Sequence, residues 1–224
     1  MKMTNANLLR LAGLSALIAG LCYVFVGVFH PANAVVSVST TRWAVVHVVA
    51  CAMSFFGVLG LAGIYARQAL KTGWLGLVGF LMLSLWMVLI MGFSFVEAFV
   101  LPHLVTASPE FIDGWMKMFN GGTSTINMGV LPSVWTSTAP LYILGGLLFG
   151  IATFRARILP RWAGVLLAVG TLLAPLASQL SLAAMPKIAI PTGLALAWMG
   201  YALMTERTAS GQTPSSQAVE AAAV

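Results

Sequence analysis

The chain has 224 residues, of which 60% are hydrophobic and only 7% charged, with a mean hydropathy of +0.97 and a formal net charge of +6. A water-soluble domain carries roughly a quarter charged residues, so this composition excludes a soluble globular fold and makes lipid the solvent. The positive charge is no nucleic-acid footprint, because the basic residues stand singly at the ends of apolar runs rather than in a patch.

Runs of about 20 apolar residues are the unit that crosses a bilayer. Six stand out, over residues 8–29, 43–66, 74–101, 138–154, 162–182 and 188–204. In lipid the backbone must satisfy its own hydrogen bonds, so these segments are predicted helices. They are too long and continuous for the alternating strands of a membrane barrel. The expected fold is therefore all-α: a polytopic bundle of six transmembrane helices filling residues 1–207.

Along the chain, Lys2 and Arg10 precede a first run that ends in Ala32-Asn33-Ala34, which resembles a signal-peptide cleavage site. The run is longer than a signal core and reads as a retained first helix. Cys22 and Cys51 lie within the first two spans and behave as small apolar residues; a disulfide would require them to face each other. The second and third spans are joined by residues 69–73, a turn so short that the two helices are expected to pack antiparallel.

The segment 106–135 follows as an extracytoplasmic interfacial stretch. Within it Ser108-Pro109-Glu110 has the chemistry of a helix start, with a capping serine, proline in the first turn and an acid near the positive end of the dipole. Ile112, Trp115, Met116 and Phe119 then recur at helical spacing, and Gly121-Gly122 closes the element. This is expected to be a membrane-parallel anchor or, more sharply, a lid over a cavity. Residues 155–161 form a second tight turn; Pro175 interrupts the fifth span, and Pro186 and Pro191 border the sixth. The tail, 208–224, is polar and small and is expected to be a disordered cytoplasmic segment.

Alternate loops divide the basic residues unequally. Lys2, Arg10, Arg67, Lys71, Arg155, Arg157, Arg161 and Arg207 fall on one side, against Arg42, Lys117 and Lys187 on the other. Positive charge marks the cytoplasmic side, so both termini are expected there. The excess can meet anionic lipid headgroups. Trp43, Trp74, Trp135 and Trp162 fall at expected interfaces as an aromatic belt, and Trp86 at mid-span as core. A faint internal echo links Gly63-Ile64-Tyr65-Ala66-Arg67 and Trp74-Leu75-Gly76 to Gly150-Ile151-Ala152-Thr153-Phe154-Arg155 and Trp162-Ala163-Gly164. It fits duplicated hairpins, but equally the shared needs of every cytoplasmic helix end.

Polar side chains collect in one leaflet. The cytoplasmic halves of the spans are nearly pure hydrocarbon, with Ser15, Ser84, Thr153 and Thr171 as exceptions. The outer halves hold Tyr23, His30, His47, Cys51, Ser54, Ser94, Glu97, Thr136, Ser137, Thr138, Tyr142, Ser178, Gln179 and Ser181. Polar groups at membrane depth face the bundle interior or water, which implies an outward-facing polar pocket over an apolar floor. Trp43, His47, Cys51 and Ser54 share one face of the second span, and Ser94 and Glu97 one face of the third. Glu97 is the only acid in any span, and His47 is expected to meet it at similar depth, each favouring the charged form of the other.

Three functions compete. In one, the pocket binds or transports a small or lipid-like molecule, with Glu97 and His47 orienting it or exchanging a proton beside Ser94, Cys51, Ser54, Tyr23 and Tyr142. In another, His30, His47, His103 and Glu97 bind a transition metal or haem in a membrane enzyme or redox protein; no two histidines stand at a motif spacing. In the third, the chain is a non-catalytic accessory or scaffold subunit, and the His47–Glu97 pair only fixes helix register. A membrane-protein partner or a homo-oligomer is open in each case. Gly-rich phosphate loops, His-Glu-x-x-His and Gly-x-Ser-x-Gly are absent from the sequence.

Residues 43–47 (Trp-Ala-Val-Val-His), 61–68 (Leu-Ala-Gly-Ile-Tyr-Ala-Arg-Gln), 95–101 (Phe-Val-Glu-Ala-Phe-Val-Leu) and above all 145–170, with its Arg-Ala-Arg-Ile-Leu-Pro-Arg-Trp-Ala-Gly join, resemble a broad group of small bacterial six-helix integral membrane proteins of a domain-of-unknown-function type. The resemblance implies a multi-pass protein of the bacterial cytoplasmic membrane and assigns no catalytic residue.

Overall fold

The computed structural model describes residues 4–182 and 184–206; the tail 208–224, expected to be disordered, lies outside them. The described chain is all-helical. Helix α1 spans Asn5–Phe29, the single turn α2 Val35–Val38, and α3 Thr41–Phe99. A second single turn, α4, covers Leu101–Leu104; α5 spans Pro109–Phe119, α6 Leu131–Ala156 and α7 Arg161–Leu172. Two 3-10 stretches, Ala174–Gln179 and Met185–Ala189, lead to α8, Ile190–Thr205. Four stretches are long and apolar enough to cross a membrane: Asn5–Phe29, Thr41–Phe99, Leu131–Ala156 and Met185–Thr205.

Helix α3 is two rods. The expected loop at 69–73 does not form; the helix runs on until Gly73, whose φ of 55° and ψ of −149° only glycine adopts without strain. Beyond it the chain doubles back. Trp43 meets Glu97, Cys51 meets Met91, and Tyr65 stacks on Phe80 with ring centroids 4.9 Å apart. These pairs define an antiparallel hairpin with legs 41–72 and 74–99.

The rods then close a ring in which each packs on its neighbours in sequence: α1, the two legs of α3, α6, α7 and α8, with α8 returning to α1. Small residues set the spacing at the seams. Gly150 and Gly164 approach so closely that a Cβ on either would strike the other's backbone carbonyl. Van der Waals contact and small residues drive such association, because lipid offers no hydrophobic gain between helices. Leu61, Ile64, Leu83, Phe149, Leu167, Leu196 and Met199 fill the centre. Around the outside each rod exposes large apolar side chains, among them Leu11, Phe55, Leu81, Leu144, Val169 and Trp198. An exterior of this kind would drive association in water and suits a hydrocarbon surround.

Several boundaries depart from expectation. The segment expected as a fifth span is helical only to Leu172, because Pro175 cannot donate to the ladder and the chain tightens into 3-10 turns. Helix α6 begins at Leu131, inside the stretch expected to lie at the interface, with Pro132 in its first turn. Ser108 stands at the N-cap of α5, but its side chain makes no capping bond. Trp43, expected at an interface, is fully buried, whereas Trp74 and Trp162 are exposed. Cys22 and Cys51 are free thiols.

Candidate functional site

The hairpin brings His47 and Glu97 together as their helical positions predict. His47 Nε2 lies 3.2 Å from Glu97 Oε2, and both side chains are almost wholly buried. The approach is close but off the line of a hydrogen bond, which leaves Nε2 without an aligned partner. The other ring nitrogen fixes the chemistry. His47 Nδ1 is 2.7 Å from the carbonyl oxygen of Trp43. A carbonyl only accepts, so Nδ1 carries the hydrogen and donates it. The neutral ring therefore turns a lone pair toward the carboxyl oxygen. Two facing acceptors repel unless one proton lies between them, on nitrogen or on oxygen.

Glu97 is held from both sides by indoles. Trp43 Nε1 donates to the Glu97 main-chain oxygen at 2.8 Å, and Trp115 Nε1 donates to Glu97 Oε1 at 3.3 Å. Trp115 comes from α5, so the amphipathic helix expected as anchor or lid is packed onto the bundle end. Its Ile112, Trp115, Met116 and Met118 join Val38, Trp43, Phe93, Leu101 and Met128 in a second apolar cluster. Asn120, at the end of α5, donates through Nδ2 to the Asn33 carbonyl at 2.9 Å and ties this cap to the α1–α2 connection. The sequence places Trp43 on the His47 face but does not tie Trp115 to the site. The available signal was the helical spacing of Ile112, Trp115, Met116 and Phe119, which marks a buried face without saying what it covers.

Beside the pair lies a cavity of about 230 Å³. Its polar wall is Tyr23, His30, Asn33, His47, Ser94 and Glu97; its apolar wall includes Trp86, Phe93, Phe119 and Trp135. His30 repeats the arrangement of His47, with Nδ1 2.6 Å from the carbonyl of Pro31 and the two imidazoles edge-to-face at 5.0 Å. Just beyond the end of α1, burial lowers the pKa of His30; the Pro31 carbonyl opposes this and Arg42 adds to it. His30 thus also offers a lone pair at Nε2.

The remaining candidates sit elsewhere. Ser54 is buried with no partner for its hydroxyl and does not line the cavity. Cys51 is half-buried, its Sγ 3.8 Å from the Met91 carbonyl. Tyr142 is bonded to Thr192 Oγ1 at 2.7 Å and packs on Trp86, so it supports the wall from behind. Thr136, Ser137, Ser178, Gln179 and Ser181, expected to face inward, are exposed. The first two stand on the part of α6 that extends past its apolar run, and the others follow the break after Leu172. His103 is exposed on α4. Among the described residues, no three His, Cys, Asp or Glu side chains are placed to hold a metal ion. No family model, no curated protein and no solved structure matches this chain.

Proposed function

We propose that the chain is a six-span protein of the bacterial cytoplasmic membrane, with both termini in the cytoplasm. Its outward-facing cavity binds a small or lipid-like molecule against a proton shared by His47 and Glu97. The distribution of basic residues supports the orientation. The fold-back at Gly73 and the completion of the fifth span by the 3-10 stretch support the span count.

The observation that carries the reading is the His47–Glu97 approach on a cavity wall. An ionisable side chain deep in a bilayer costs about 3 kcal/mol, so such groups mark ligand or proton paths. A pair meant only to lock register would be sealed by packing. Here one face of the pair is left against an aromatic-lined hollow. That hollow is smaller than the roughly 300–1,000 Å³ of sites that bury drug-sized ligands. It suits a compact molecule or the head of a longer one.

Benzyl alcohol provides a neutral test. In phosphatidylcholine nanodiscs it should quench the emission of Trp86 and Trp135 saturably. Ala50, buried on the cavity wall, is the position at which to block it: Ala50→Phe should abolish the saturable component. Quenching that is non-saturable, or unchanged in Ala50→Phe, would overturn the reading.

A further inference from the structure

We infer that the molecule taken up by this cavity is a lipophilic cation, an amine or ammonium compound, which displaces the proton held between His47 and Glu97. The inference rests on the pocket reading above and specifies its ligand.

The argument starts from which hydrogen-bonding atoms remain free. Both histidines lining the cavity spend Nδ1 on backbone carbonyls, His30 on Pro31 and His47 on Trp43. Each neutral ring has only an acceptor left. His47 Nε2 is buried, unmatched and on the cavity wall. The Glu97 carboxylate, once deprotonated, is acceptor-only as well. Of the donors nearest the pair, Trp43 Nε1 is spent on the Glu97 main-chain oxygen and Arg42 Nε on the Phe29 carbonyl, at 2.7 Å. Trp115 supplies a single long bond to one carboxylate oxygen. The patch formed by His30, His47 and Glu97 is therefore rich in lone pairs, and the donors of the lining (Asn33, Ser94, Tyr23 and the indoles of Trp86 and Trp135) stand outside it. A ligand that set a carboxylate or phosphate head against that patch would meet like with like.

The rest of the lining agrees. Trp86, Phe93, Phe119 and Trp135 present aromatic rings around the same space. Aromatic faces attract cations, most strongly where water is excluded. Charge balance supplies the exchange step. With the cation absent, one proton on either His47 Nε2 or the Glu97 carboxyl keeps the buried pair from carrying an uncompensated negative charge. When a cation enters, it takes over that compensation and the proton leaves to solvent. No bond other than N–H or O–H is broken, and net charge in the site is unchanged. The other titratable groups beside the pair are His30, at the C-cap of α1, its ring centroid 5.0 Å from that of His47, and Cys51, one helical turn beyond His47 on the first leg of α3. Tyr23 lines the cavity from α1.

The test uses three probes of one shape with the full-length protein in phosphatidylcholine nanodiscs: benzyltrimethylammonium, its neutral isostere neopentylbenzene, and phenylacetate. The cation should quench tryptophan emission saturably and release about one proton per molecule bound, read with a pH-sensitive dye in weak buffer. The neutral isostere should bind at least about tenfold more weakly, a difference of one decade in affinity, and phenylacetate not at all. Glu97→Gln should remove cation binding and proton release together, while Glu97→Asp, which keeps the charge, should retain both. If neopentylbenzene or phenylacetate binds as tightly as the cation, or if Glu97→Gln leaves cation binding intact, the cation assignment is wrong and the pocket reading stands. If no probe of any charge, benzyl alcohol included, binds saturably, both fall.

Discussion

The two ends of the bundle bring polar groups together to different effect. At one end His47 and Glu97 face each other without an aligned bond and border a hollow. At the other, Gln68 Nε2 donates to Thr153 Oγ1 at 2.8 Å, Thr72 bonds back to the Gln68 carbonyl, and Arg67 grips Glu206 with two bonds. Helices there approach through Gly150 and Gly164. Buried polar groups in native proteins are almost always satisfied. The Gln68 end follows that rule apart from the Gln68 amide oxygen and, further along its helix, the Ser84 hydroxyl; the Glu97 end holds its polar atoms apart and keeps room beside them. Polarity alone does not separate a structural pair from a site. The adjoining packing does.

The contrast can be broken most severely at the seam. Gly150→Val drives a branched side chain into the Gly164 backbone, and overpacking of this kind costs about 1–3 kcal/mol, more where backbone blocks the new side chain as it does here. Denaturant titration in detergent should show large destabilisation, with loss of probe binding only as the fold is lost. A smaller effect is expected from Thr153→Val, which leaves the Gln68 amide without its partner and should cost about 1–3 kcal/mol. The double variant Gln68→Leu with Thr153→Val should recover most of that loss, and neither should change benzyl alcohol binding in folded protein. If they do change it, the two ends are coupled. Trp115→Phe removes one hydrogen bond to a carboxyl oxygen while keeping an aromatic ring, at a cost of about 1–2 kcal/mol. Its distinctive effect should be a shift of the Glu97 carboxyl stretch in infrared difference spectra, assigned by its absence in Glu97→Gln. Least of all should come from Arg67→Ala. Both partners of that ion pair are about a third exposed, and such pairs contribute about 0–1 kcal/mol.

Much of this was legible from the residues, and the omissions have identifiable causes. Long apolar runs announce helices because lipid permits little else. A short connection between the second and third spans, with His47 and Glu97 counted from it, is enough to bring the pair together. Trp115 escaped because its target lies across a connection whose course depends on tertiary packing. Trp43 was assigned to an interface because tryptophan is enriched there, although the same residue stands on the His47 face. Gln68 lies just beyond an apolar run, and run length cannot say that the helix continues to Gly73. The fifth span kept its apolar composition past Leu172, so composition favoured a helix where Pro175 did not.

The elbow at Gly73 makes the buried pair a property of one continuous segment. His47 and Glu97 ride on a single helical hairpin, residues 41–99, with nothing inserted between its legs but one glycine. The pairing is thus local to one stretch of chain: the carboxyl group needs no helix outside the hairpin to bring its imidazole neighbour beside it, and α6, α7 and α8 contribute walls rather than partners.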